Sequence, residues 1–169
     1  MGGLEIQKKI CMVGSYGVGK TSLVRRFVES LFDDKYLSTI GVKIDKKRVE
    51  VDGQPVLMLL WDLAGESDET PFRASYVRGA SGYILVADCI RPGTLDIALE
   101  LHERVQTEIG EMPFVLALNK IDAVTDWRMD DETLRRLEDS GWTIFKTSAK
   151  TGQNVEELFS LLARRMLAG

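Results

Sequence analysis

The octapeptide Gly14-Ser15-Tyr16-Gly17-Val18-Gly19-Lys20-Thr21 demands a strand, a tight loop and a helix, in that order. It follows the apolar run Ile10-Cys11-Met12-Val13 and leads into a stretch of helical period. Glycines lack Cβ atoms, so Gly14, Gly17 and Gly19 let the backbone wrap close around an anion and aim successive N–H groups at it. The helix that follows adds its positive end. In the pattern G-x-x-x-x-G-K-[ST] the lysine, here Lys20, reaches the β- and γ-phosphates of a nucleotide, and the hydroxyl of Thr21 binds the Mg²⁺ that travels with them. Gly14, Tyr16, Gly17, Val18, Gly19, Lys20, Thr21 and Ser22 are the candidate phosphate-binding residues. A bland glycine turn would not require strand, lysine, threonine and helix together.

Apolar runs of strand length alternate with helix-period segments along all 169 residues, the signature of a three-layer α/β domain with a mostly parallel sheet. Strands are predicted near 7–13, 43–51, 55–62, 82–88, 114–119 and 143–147. Helices are predicted near 20–29, 69–77, 95–109, 130–140 and 154–167. Val51-Asp52-Gly53-Gln54 is a tight turn of the Asp-Gly type and makes the second and third strands an antiparallel edge hairpin. Tyr83 to Ala87 and Phe114 to Leu118 are apolar on both faces, as buried parallel strands are. Asn154 with Glu157 reads as a capping box for the last helix. One domain over 1–169 is expected, since the length supplies one self-sufficient core and no linker divides it.

A net charge of −4 gives no basic stripe for nucleic acid and no general attraction to a membrane surface. Cys11 and Cys89 lie in or beside apolar strands and do not form a secreted disulfide framework, so a reducing, cytoplasmic setting is expected. No apolar stretch approaches the roughly 20 residues of a membrane helix. Neither end of the sequence carries a recognisable lipidation signal, because Ile6 stands where a myristoylation motif has Ser or Thr and no cysteine lies near the final Gly169.

Three further clusters fall at the carboxyl ends of predicted strands, where open α/β sheets bind ligands. Trp61-Asp62-Leu63-Ala64-Gly65 places a carboxylate that can hold Mg²⁺ through water and a glycine whose N–H can approach a terminal phosphate. Asn119-Lys120-Ile121-Asp122 places a carboxylate that can accept two N–H bonds from the N1 and N2 edge of guanine, a donor pair adenine lacks. Thr147-Ser148-Ala149-Lys150 offers backbone N–H groups to the base oxygen.

These clusters, with Ser38-Thr39-Ile40-Gly41-Val42 between the first two, make the chain resemble the Ras superfamily of small GTPases, in wording nearest the Rab branch. The resemblance spans essentially the whole chain and implies a P-loop GTPase fold, a GTP-hydrolysing molecular switch and Mg²⁺ as cofactor. It implies Thr21, Thr39 and Asp62 at the metal, with Thr39 and Gly65 sensing the γ-phosphate. Phe32 would meet the guanine edge-on and Lys120 cover its face, beside Asn119, Asp122, Ser148, Ala149 and Lys150. Lys20, Gly65 and Glu66 would act in hydrolysis. Effectors and regulators would bind through 34–44 and 65–77, on a monomer.

The chain departs from the family at two positions. Glu66 stands where a water-orienting glutamine is usual, and Tyr16 where a small residue is usual. Both motivate a competing reading, a nucleotide-loaded scaffold with little turnover; a P-loop nucleotide kinase would leave Asn119, Lys120 and Asp122 without a role. His102 reads as a surface or boundary residue, Trp127 and Trp142 as boundary packing, and Lys43, Lys46, Lys47 and Arg48 as guards of an edge strand.

Overall fold

The alternating segments close into one sheet. The structure, a computed structural model, describes residues 5–30, 42–65 and 71–168. Six strands, β1 (Ile6–Gly14), β2 (Val42–Val51), β3 (Gln54–Leu63), β4 (Gly82–Asp88), β5 (Phe114–Asn119) and β6 (Ile144–Lys146), lie in the order β2-β3-β1-β4-β5-β6. All pairs are parallel except β2 with β3. Four α-helices are described, α1 (Lys20–Glu29), α2 (Gly93–Glu108), α3 (Asp131–Asp139) and α4 (Val155–Ala168).

The side-chain period of two along β1 builds both layers of the core. Ile10 and Met12 pack with Leu23 and Phe27 of α1 and Leu158 and Phe159 of α4, whereas Cys11 and Val13 pack with Leu95 and Leu101 of α2 and Leu134 of α3. Burial on both faces explains the unbroken apolar run. Phe27 and Phe159 stack with centroids 4.0 Å apart, joining the helix after the phosphate loop to the last helix. Fully burying a side chain of that kind contributes about 1.5–3 kcal/mol.

The hairpin forms as expected: Asp52 and Gly53 both take positive φ, 49° and 82°, and Val51 faces Gln54. Since β1, β3, β4, β5 and β6 are mutually parallel, the loops after all five emerge at one edge of the sheet. Among the described residues, the motifs at 14–21, 61–65, 119–122 and 147–150 lie at that edge.

Three local expectations are corrected. Among the described residues the helix expected over 69–77 is a single 3₁₀ turn, Ala74–Val77. Arg73 is extended before it (φ −114°, ψ 107°), and Gly79 at φ 81° turns the chain after it. Asn154 forms no capping box in the expected geometry: it is left-handed (φ 58°), and its Nδ2 donates to Lys146 O at 2.9 Å. His102 is buried rather than superficial, with Nδ1 2.7 Å from the Tyr83 hydroxyl and its ring against Phe114 and Trp142. Burial lowers its pKa below 6.5.

Candidate functional site

The loop from Gly14 to Gly19 is shaped by what holds its carbonyls. Lys20 Nζ donates to Gly14 O at 3.2 Å and to Ser15 O at 2.9 Å. Arg91 Nη2 donates to Tyr16 O at 2.9 Å, Lys120 Nζ to Gly17 O at 2.8 Å and Asn119 Nδ2 to Val18 O at 3.0 Å. Across a trans peptide the carbonyl and the next N–H point in opposite directions. Drawing the carbonyls of 16, 17 and 18 toward the β4 and β5 loops therefore turns the N–H groups of Gly17, Val18 and Gly19 the other way, as an anion nest requires. Helix α1 begins at once: Leu23 N–H donates to Gly19 O at 2.9 Å, so the first-turn amides face the same loop.

At two glycines of the site a side chain would collide with backbone. A Cβ at Gly14 would lie 2.5 Å from Val86 O, and one at Gly65 would lie 2.4 Å from Tyr16 Cα and 2.9 Å from Lys20 Nζ. The Asp62–Gly65 turn is thus packed directly on the phosphate loop.

Lys20 is the loop's buried cation, 5% exposed. Desolvation is the main cause that lowers its pKa to about 8, opposed by the Asp62 carboxylate and assisted by the Arg91 charge. A phosphate beside it would restore what burial removes. Thr21 Oγ1 donates to Asp62 Oδ2 at 2.6 Å, and Asp62 is fully buried at the end of β3. A hydroxyl and a carboxylate side by side are the hard oxygen donors that Mg²⁺ prefers, so the residues present fit that ion.

The base-side residues converge on the same edge. Asn119, 1% exposed, accepts from Thr147 Oγ1 at 3.1 Å while donating to Val18 O, which links the β5, β6 and phosphate loops through one side chain. Lys120 is left-handed (φ 67°) and Ile121 N–H donates to Thr147 O at 3.0 Å. Asp122, exposed, accepts from Ser148 Oγ at 2.7 Å, and Ser148 Oγ accepts the Thr151 N–H at 3.0 Å. That hydroxyl aims the carboxylate. Ala149 is buried and Lys150 exposed. Tyr16 stands 45% exposed at the rim.

Phe32, Thr39 and Glu66 lie outside the described residues. The remaining candidates are brought together. Sequence reasoning missed Arg26 of α1, whose Nε donates to Ala149 O at 2.8 Å and whose Nη2 donates to Lys150 O. It also missed Asp88 and Arg91. Asp88 had a usable signal, a carboxylate at the carboxyl end of a fully apolar strand; the two arginines had none.

The Ras family model matches residues 9–168. Ras-related protein Rab-13 of Canis lupus familiaris is 34% identical over 161 residues, covering 94% of this chain and 79% of its own. Ras-related protein Rab-1D of Dictyostelium discoideum is 34% identical over 158 residues, 92% of this chain and 78% of its own. GTP-binding protein yptV2 of Volvox carteri is 31% identical over 163 residues, covering 95% and 75%.

Proposed function

The chain belongs to the Ras family and is a GTP-binding regulatory switch with GTPase activity, and we propose that the loops at the carboxyl edge of its sheet bind and hydrolyse the nucleotide as follows. The amides of Gly17, Val18, Gly19 and the first turn of α1 receive the α- and β-phosphates. Lys20 bridges the β- and γ-phosphate oxygens, its ammonium already held in place by Gly14 O and Ser15 O. Water attacks the γ-phosphorus in line. Little covalent work falls to the protein, so positioning and charge stabilisation by Lys20 and the loop amides account for most of the rate.

Thr21 and Asp62, together with Thr39, would hold Mg²⁺, which when bound neutralises the charge developing on the β- and γ-oxygens. The Gly65 N–H would bond a γ-phosphate oxygen after the turn, whose backbone lies against that of Tyr16, shifts away from it. Glu66 accepts a hydrogen bond from the attacking water and can take its proton, although it offers no N–H in return. Asp122 reads the N1 and N2 donors of guanine, Lys120 and Phe32 cover the ring, and the Ser148–Lys150 segment meets its oxygen.

Partners would read the nucleotide through 34–44 and 65–77. Within that range, Ile44 is 48% exposed on the edge strand directly opposite Trp61. No helix among the described residues is long and apolar enough to cross a membrane. The two cysteines are buried and unlinked, which supports a reducing, cytoplasmic setting. A single domain acting as a monomer completes the reading.

The observation that carries it is the use of base-side residues, Asn119 and Lys120, as the hydrogen-bond donors that shape the phosphate loop. Base and phosphate sites are one construction. The test is specificity: Asp122→Asn should weaken GTP binding by about 2–4 kcal/mol, because a charge-assisted pair is lost and a donor faces donors. Xanthosine triphosphate, whose 2-position is a carbonyl, should then bind the variant better than GTP does. Equal GTP affinity for wild type and variant refutes the base assignment.

A further inference from the structure

The end of β4 carries an ion-pair system whose carboxylate, Asp88, and arginine, Arg91, belong to none of the sequence motifs. Asp88 is fully buried at the last position of the strand. Its Oδ2 has Arg91 Nε at 3.0 Å and Lys120 Nζ at 3.0 Å, and its Oδ1 accepts the Ile90 N–H at 2.9 Å. Both cations continue to the phosphate loop, Arg91 to Tyr16 O and Lys120 to Gly17 O. One buried carboxylate therefore anchors two cations that hold two successive carbonyls.

We propose that Arg91 is a positioning residue for the nucleotide: with Asp88 it braces the phosphate loop against β4 and the base-side Lys120, and so governs how fast bound guanine nucleotide escapes. The inference rests on the reading of residues 14–21 and 119–122 as the nucleotide site.

The chemistry of the guanidinium suits this task. Nε and Nη2 lie on one edge of a rigid plane, so Arg91 serves Asp88 and Tyr16 O at once in a fixed geometry, which a single ammonium does not reproduce. The turn beneath is itself pinned, since Thr94 Oγ1 accepts the Asp88 N–H at 2.8 Å and donates to Arg91 O at 2.7 Å. An ion pair exposed on both sides would contribute little. Here the carboxylate is wholly buried, and deleting one of its cations leaves it undercompensated. Arg91 itself is 47% exposed, so truncating it opens no core cavity.

What the brace prevents is a peptide flip. Gly17 sits at φ 76° and, as glycine, can accept several orientations of the peptide joining it to Tyr16. With Tyr16 O held by Arg91, the Gly17 N–H keeps its direction toward the phosphate. Once Tyr16 O is released, that donor is no longer fixed, and the nucleotide loses both a hydrogen bond and a preorganised loop. The charge of Arg91 is also felt at Lys20, so it adds to the positive potential of the site.

The experiment is release of a fluorescent GDP from the full chain after addition of excess unlabelled GDP, run in Mg²⁺ and again in EDTA. R91A should accelerate release about tenfold in both conditions, the equivalent of one charge-assisted hydrogen bond. R91K should fall between R91A and wild type, and adding D88N to R91A should accelerate release further by less than D88N does alone. R91A releasing at the wild-type rate overturns the brace, as does R91K releasing at the wild-type rate while R91A is fast, which would reduce the position to the packing and charge of its stem. If wild type fails to retain GDP, or Lys20→Ala retains it equally well, the nucleotide-site reading falls instead.

Discussion

Replacing Gly19 with alanine should separate two demands the fold makes on one residue. The first is conformational: Gly19 sits at φ 102° and ψ 24° before α1, a region that costs an L-residue about 1–2 kcal/mol. The second is spatial. An alanine Cβ would lie 2.3 Å from Asn119 Nδ2, and that amide has nowhere to retreat because it is tied to Val18 O and Thr147 Oγ1. Displacing it breaks a buried hydrogen bond, which costs about 1–3 kcal/mol. Gly19→Ala should therefore lose about 2–5 kcal/mol in a urea unfolding series. In an Asn119→Ala background the obstruction is gone, and the same change should cost only the backbone share of about 1–2 kcal/mol. Equal costs in both backgrounds would show that Gly19 does not make room for Asn119. A loss below about 1 kcal/mol in wild type would contradict the left-handed backbone itself.

Arg26→Ala frees the carbonyls of Ala149 and Lys150 and should weaken GDP binding about tenfold, while leaving the phosphate loop's own bonds intact; titration calorimetry showing unchanged affinity would refute the coupling between α1 and the base loop. Burial lowers the pKa of His102 in the fold, whereas the unfolded chain takes up a proton below pH 6.5. The fold thus keeps this contribution above 6.5 and loses it as pH falls from there toward the lower folded value. Urea midpoints measured from about pH 7.5 to about pH 5 should fall less steeply for His102→Leu than for wild type, and parallel curves would contradict the assignment.

The parts of the fold legible in the sequence are those whose causes are local. β4 and β5 match the expected 82–88 and 114–119 because strands buried on both faces leave an unbroken apolar run. The Asp52-Gly53 hairpin is likewise written in two adjacent residues. The expected helix over 69–77 misled because Phe72, Ala74 and Val77 are all buried against the α2 layer and imitate helical spacing, although 71–77 holds only a single 3₁₀ turn. His102 has neighbours from two strands and from the connection between α3 and β6, so no local pattern announces its burial. The same division runs through the site. Gly14, Gly19, Lys20 and Thr21 are recognisable from their spacing, and the Asn119–Asp122 and Ser148–Lys150 clusters from their place after strands. Arg91 and Arg26 act on carbonyls 75 and 123 residues away, and only the folded chain brings them there.

The most direct measurement of the central claim is single-turnover hydrolysis, with GTP and ATP followed in parallel on the wild-type chain in the presence of Mg²⁺. The account predicts that GTP is converted to GDP and phosphate while ATP at the same concentration is neither retained nor turned over, because adenine presents no donor pair to Asp122. Comparable hydrolysis of both nucleotides would contradict the base-site assignment, and retention of GTP without any hydrolysis would contradict the catalytic role given to Lys20, Gly65 and Glu66.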